Sequence, residues 1–210
     1  MNDSPFNLLA RTGGNPIIFR SHGSKIYSAL GYLFCIGMFL TAIIDSTYVA
    51  AENFAMGSAT LMFATAIYLG IQRPALLFTD AGVAIRNPFS TTILNWRDVT
   101  GVNTKYVLNI ESHLGSTSCW AAVGPSRSQH RAIHPSELRG FHQSGSGLRA
   151  ADSPRSDSGA AAQIARSYIE KNGAVVSEAL ISKIEINHRA KYFFITLIAC
   201  VIISHLIAYA

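Results

Sequence analysis

The sequence predicts a membrane protein of mixed α+β class, in which three transmembrane helices carry a cytoplasmic antiparallel β-barrel or sandwich capped by a C-terminal helix. Three observations predict it. Only 14% of the 210 residues are charged and 49% are hydrophobic, whereas soluble domains carry about 25% charged residues. Three long stretches hold no Asp, Glu, Lys or Arg at all. Between the second and third of them lies a series of short β-prone runs, followed later by one helical pattern. The same composition excludes a disordered, collagen-like or disulfide-framework protein. The three cysteines, Cys35, Cys119 and Cys200, are odd in number and form no CxxC pair, which argues against a structural zinc site as well.

The N-terminal segment 1–25 leads into a first transmembrane helix at 26–44, a short outer connector at 45–53, and a second helix at 54–72. A third helix occupies 192–210. A helix rises about 1.5 Å per residue against a hydrocarbon core of about 30 Å, so each stretch is just long enough to span. The first apolar run exceeds the usual signal-peptide core and is followed at once by a second, which argues against a cleaved leader. All 17 Lys and Arg lie outside the connector, which holds Asp45 and Glu52 instead. By the positive-inside rule the N-terminus and segment 73–191 are cytoplasmic, and the C-terminus lies outside the plasma membrane. Small residues at Gly31 and Gly37, and at Gly57 and Ala59, are the candidate helix-packing positions. His205 sits near the outer end of its span and reads as interfacial. With no other ionisable side chain in the spans except cysteines and tyrosines, an ion conduit has no support.

From 73 to 123 the text is strand-like, with turns at Asp80-Ala81-Gly82, Asn87-Pro88 and Gly115, and six strands are expected. Trp96 and Trp120 are both expected in the core of this small β domain. Segment 124–159 holds 8 Ser, 5 Gly and 3 Pro and reads as a flexible insertion. Ser156-Asp157-Ser158 can cap a helix at 160–173 whose face of Ile164, Ala165, Tyr168 and Ile169 would cover the sheet. Residues 174–191 read as an amphipathic connector, expected helical.

TDAGVAIRNPFSTTILNWRDVTGV, with SCWAAVGPSR and the later PSELRG and DSGAAAQIARSYIEKN, resembles the bacterial PH-like domain of small actinobacterial membrane proteins. This domain is associated with the low-molecular-weight protein antigen family. The marks that carry the resemblance are Gly82-Val83, Asn87-Pro88, and Trp96 followed by Asp98-Val99, and it covers about half the chain. It implies a PH-like barrel or sandwich with a C-terminal capping helix, and no shared enzyme activity. Members often place two spans before the domain, as here; the third span is a departure. Eukaryotic PH domains often hold phosphoinositides with a basic loop between their first two strands. The corresponding turn here carries Asp80, so inositol-lipid recognition does not follow.

No P-loop, dinucleotide fingerprint or nucleophile elbow is present. His130 and His134 have helical metal-ligand spacing, but Pro135 adjoins them, and Ser144-Gly145-Ser146-Gly147 reads as linker. The expectation is therefore a non-enzyme without cofactor or metal. The basic surplus gathers beside the spans at Arg20, Lys25, Arg73, Arg189 and Lys191, which suits lipid headgroups rather than nucleic acid. The leading expectation is a membrane-tethered protein-interaction module with membrane lipids and a membrane-protein partner. The rivals are an accessory subunit of a respiratory, transport or envelope-synthesis complex, contacting it through its spans, and a sensor of anionic lipid.

Overall fold

The computed structural model describes residues 5–44, 50–104, 106–124, 153–172 and 180–209. The elements in chain order are α1 (Pro5–Thr12), β1 (Ile17–Phe19), α2 (Ser24–Ile44), α3 (Ala50–Ile67), β2 (Ala75–Phe78), β3 (Gly82–Arg86), β4 (Ser90–Asn95), β5 (Val99–Asn103), β6 (Val107–Ser112), β7 (Gly115–Val123), α4 (Asp157–Asn172), β8 (Lys183–Ile186) and α5 (His188–Tyr209). They form two units, one made of Met1–His22 with Pro74–Glu185, the other of Gly23–Arg73 with Ile186–Ala210.

The first unit is an α+β domain with two antiparallel sheets, ordered β1-β2-β3-β4-β8 and β5-β6-β7. The six strands expected between 73 and 123 are β2 to β7, joined at the turns the Gly, Asn and Pro residues mark. Two further strands, β1 and β8, come from segments outside that region. β1 pairs with β2 in the register Ile17↔Phe78, Ile18↔Leu77 and Phe19↔Leu76, so the chain on either side of the α2–α3 segment meets in one sheet.

Period-two alternation explains why β2 is buried at all four residues. Leu76 and Phe78 point into the larger core with Val83, Ile85, Leu94, Trp96, Leu108, Ile110, Cys119 and Ala121. Ala75 and Leu77 point the other way, into a second cluster with Ala84 and Ile93 that α1 closes with Phe6 and Leu9. The first sheet is thus covered on both faces, and its unbroken apolar runs ALLF and GVAI are the sequence form of that double cover. The second sheet buries one face only. Leu108 and Ile110 alternate with Asn109 and Glu111, whose side chains are less buried or exposed.

Helix α4 packs Ala161, Ala162, Ala165 and Tyr168 onto the larger core. Its start is set by Ser156, whose Oγ accepts the Gly159 N–H at 3.0 Å, satisfying one of the donors a helix N-terminus leaves without partners. The small alanines let the helix approach closely enough for Tyr168 to stack on Trp96 and Phe78, at centroid distances of 5.6 and 6.2 Å.

Three differences from the sequence reading have physical causes. Segment 180–187 is not helical: β8 joins β4, where the Asn95 backbone N–H donates to Ser182 Oγ at 2.8 Å and its side chain to the Leu180 carbonyl at 3.2 Å. An open edge strand competes for the same β-branched residues, Ile184 and Ile186, that a helix would use. The second apolar helix starts at Ala50 rather than 54 and runs through a π-helical turn, Tyr68–Gln72. Trp120 is 56% exposed, whereas Trp96 is 2% exposed. Strand alternation explains the difference: Cys119 and Ala121 on either side of Trp120 face the core, which puts Trp120 on the outer face, beside a bulge of three excess residues where the register jumps from Leu108↔Cys119 to Val107↔Val123. The flexible reading of 124–159, with His130 and His134, and the helical reading of 174–179 concern residues that mostly lie outside the described ones.

In the second unit, α2, α3 with its π-turn, and α5 are each long and apolar enough to cross a membrane. Leu30, Leu33 and Phe34 on α2, and Ile202, Ile203 and Leu206 on α5, are exposed; helices apolar on their open faces require lipid or protein around them. α3 packs against both α2 and α5.

Two buried groups of the first unit give the domain an alkaline limit. Burial raises the Cys119 thiol pKa, and burial followed by Asp80 raises that of Tyr168, with Lys171 acting in the opposite sense. Both hold protons in the folded state that the unfolded chain releases, so stability is full below the ordinary thiol value of 9.0 and is lost as pH rises beyond it. The urea midpoint should be level between neutrality and about pH 8.5 and fall above it; a midpoint that climbs with alkaline pH contradicts this assignment.

Candidate interaction surfaces

The β2–β3 turn is occupied from within the domain. The Asp80 carboxylate accepts Asn15 Nδ2 at 2.9 Å on one oxygen and Lys171 Nζ at 3.3 Å on the other. The Tyr168 hydroxyl donates to the Asn15 carbonyl at 3.2 Å. The chain between α1 and β1 reaches this point through Gly14 and Asn15, both at positive φ, 71° and 32°; glycine and asparagine are the residues that tolerate that conformation. The acid that sets this turn apart from a basic lipid-binding loop therefore latches the N-terminal segment to α4.

Besides the core they share, the two sheets are tied by the side chain of Asn87. Asn87, at the end of β3, donates its amide to the Ser118 carbonyl at 2.7 Å and accepts the Trp120 N–H at 3.1 Å. This copies the paired bonds of a strand neighbour, and it fixes the backbone of β7 where Trp120 projects outward. At the same end of the β6–β7 ladder Tyr106 is 73% exposed, and Val123 is exposed too. The Tyr106 carbonyl accepts the Gly124 N–H at 2.8 Å, which anchors that aromatic residue as well. Large rings held on a rigid backbone are the residue type that dominates protein contacts. The sequence contained the signal, since Asn87 and Trp120 were both visible, but their partnership spans 33 residues and no local pattern reveals it.

Arg20 is exposed just after β1 in the first unit. The other four basic positions belong to the helical unit: Lys25 in the first turn of α2, Arg73 after the π-turn, and Arg189 and Lys191 in the first turn of α5. Arg73 is half-buried, and desolvation lowers its pKa while the nearby Tyr68 acts to raise it. Its backbone N–H closes the π-turn on the Tyr68 carbonyl at 2.8 Å. Helix pairing in this unit brings the ends carrying these four cations together, since Tyr32, Tyr68, Leu69, Arg189 and Phe193 line one cleft.

Of the small residues, Gly31 faces Ile67, where an added Cβ would lie 2.7 Å from Cδ1, whereas an added Cβ at Gly37 or Gly57 meets nothing within 4 Å. Among the described residues, Gly37 and Gly57 are therefore not contact points within this unit, and Ala59 is half-buried. One polar contact between α3 and α5 is one the sequence did not suggest: Ser58 and Ser204 share a hydrogen bond of 2.9 Å, buried between the helices. Hydroxyls suit such a seam because one can donate across it while the other donates to its own helix, Ser58 to the Ala55 carbonyl or Ser204 to the Val201 carbonyl, and their small size permits close approach. Gly31→Leu should destabilise the detergent-solubilised helices by about 1–3 kcal/mol through overpacking, while Gly37→Leu and Gly57→Leu stay within about 0.5 kcal/mol of wild type. Denaturant titration of the three variants checks this; equal losses would place the packing elsewhere.

Among the described residues no group of His, Cys, Asp and Glu is arranged to hold a metal ion. Compared with known proteins, no curated protein and no solved structure matches the chain. Residues 73–115, which run from the end of the π-turn through β2 to β6 and into the first residue of β7, match the family of bacterial PH domains, so the α+β unit contains a PH-like domain.

Proposed function

We propose that the protein is a non-enzymatic, multi-pass membrane protein whose PH-like domain is a docking module for a membrane-protein partner on the cytoplasmic face. The observation that carries this reading is the exposed Trp120, pinned by Asn87 beside Val123 and Tyr106 at one end of the β6–β7 ladder. The motif resemblance noted above supports a place near the low-molecular-weight protein antigen family. Pairing of β1 with β2 requires residues 17–19 and 76–78 to lie on the same side of the membrane, as two intervening spans allow. The basic residues of those segments assign that side to the cytoplasm, and α5 then takes the C-terminus across the plasma membrane. Tethering at both ends of the domain keeps it at the inner leaflet and raises its effective concentration for partners in the same bilayer.

Affinity purification of the tagged full-length chain from its native membranes, with mass spectrometry of co-eluting proteins, tests the reading. Trp120→Ala should remove the partner and leave protein yield and thermal stability unchanged. Retention of the same partner by Trp120→Ala, but its loss with Ser58→Leu or with substitutions on the exposed faces of α2 and α5, would favour an accessory subunit held through its spans. An outward-facing enzymatic reporter at the N-terminus should be inactive and one at the C-terminus active; the reverse pattern overturns the orientation.

A further inference from the structure

We propose that the cleft between α2, α3 and α5 seats the acyl chain of an anionic phospholipid, with the headgroup phosphate held by Arg189. The inference rests on the membrane-spanning reading of the three helices and adds to it a defined ligand site. The cleft has a volume of ≈ 540 Å³, and its walls include Tyr32, Ala64, Leu69 and Phe193. That volume lies within the range of small-molecule sites.

Polarity within the cleft is ordered in the way a phospholipid is. Arg189 and Phe193 are one helical turn apart on α5, about 6 Å along the axis, with the cation toward the helix end and the ring deeper. The hydroxyls of the deeper region are already used: Thr65 donates to the Leu61 carbonyl at 2.8 Å and Tyr32 to Gln72 Oε1 at 3.2 Å. Apart from the Tyr68 hydroxyl, the surface the cleft offers an occupant below Arg189 is mostly carbon. The π-helical turn at Tyr68–Gln72 contributes Tyr68 and Leu69 to this wall, and such turns recur at functional sites because the extra residue per turn displaces side chains from regular helical positions.

Charge selects the headgroup. Lys25, Arg73, Arg189 and Lys191 lie at this end of the helices, and the helical unit's two acidic residues, Asp45 and Glu52, fall in the sequence after the last residue of α2 and in the first turn of α3. The sequence of this unit therefore gathers its Lys and Arg toward one end. A lipid phosphate supplies the negative charge at the depth where the cleft opens, and basic pockets between spans on the cytoplasmic side are suited to such headgroups.

The test reconstitutes the full-length protein in nanodiscs of equal phosphatidylglycerol and phosphatidylcholine, then measures retained lipid by native mass spectrometry after release into detergent. Wild type should retain phosphatidylglycerol preferentially. Arg189→Gln should retain about fivefold less of it, the loss of one basic contact at an anionic surface, with unchanged thermal stability. Ala64→Phe, which fills the cleft, should lose the lipid while Arg189 is intact. Equal retention of the two lipids by wild type, or undiminished phosphatidylglycerol in both variants, overturns the proposal. Binding of glycerol phosphate alone as tightly as the intact lipid also overturns it, because the acyl chain would then contribute nothing. Extraction of the protein from native membranes by alkaline carbonate would instead defeat the membrane-spanning reading; retention in the pellet without lipid preference would defeat only this inference.

Discussion

Replacing Phe6 with alanine should destabilise the α+β domain by about 3–5 kcal/mol, a large part of the 5–15 kcal/mol that holds a typical domain together. Phe6 is 4% exposed and Leu9 3% exposed, and together they close the second cluster over Leu77, Ala84 and Ile93. The Phe6 ring also lies 4.4 Å beneath the Arg86 guanidinium, a cation–π contact that alanine removes. Without α1, the outer face of β2 and β3 would meet water. Chemical unfolding of Phe6→Ala and Leu9→Ala in the full chain measures the cost. A stronger form of the same expectation concerns a fragment of residues 74–185: it should be insoluble or lack cooperative unfolding, and co-expression of residues 1–22 should rescue it. A well-folded 74–185 fragment would show that the N-terminal segment is ornament to the domain.

The second large effect separates the two tryptophans. Trp96→Ala should cost about 3–5 kcal/mol by cavity formation alone. The ring lies within the stack with Phe78 and Tyr168, and its Nε1–H donates to the Thr79 carbonyl at 2.8 Å. Trp96→Phe keeps most of the volume and removes the donor, and should cost about 1–3 kcal/mol if the carbonyl is left without a replacement. Trp120→Ala should change stability by no more than about 0.5 kcal/mol, because the side chain is largely in solvent and Asn87 bonds the backbone rather than the ring. Its effect should appear in partner recovery instead. Fluorescence offers an independent check: Trp96 alone should be shielded from acrylamide in the folded state, and Trp120 alone should be quenched. Comparable loss of stability from both alanine variants would contradict the outward placement of Trp120 and remove the basis of the docking surface.

Much of the architecture was legible because it follows from local chemistry. Uncharged stretches of span length, turn residues at Asp80-Ala81-Gly82 and Asn87-Pro88, and the Ser-Asp-Ser start of α4 each act within a few residues of themselves. The alanine-rich face ending in Tyr168 gave away the helix that covers the larger core. The interaction surface was less legible. Trp120 has the residue type of a core tryptophan, but it alternates with Cys119 and Ala121, and only the packing of those two small residues into the core leaves Trp120 on the outer face. Ser58 and Ser204 are ordinary span residues until α3 and α5 pack. Gly37 and Gly57 have the composition of helix contacts, but the faces they occupy are open.

The sequence by itself determined which segments are apolar enough to span, where along the chain the basic residues gather, and that a PH-like β region lies between the second and third apolar helices. It could do so because hydropathy, charge and turn propensity are properties of neighbouring residues. Only the tertiary structure decided that the domain begins before the two apolar helices α2 and α3. Its second core cluster needs Phe6 and Leu9, its edge strand β1 needs Ile17 to Phe19, and its Asp80 latch needs Asn15. Those pairings join residues some 60 to 70 positions apart, and burial of the second face of a sheet is a demand no single segment states in its own composition.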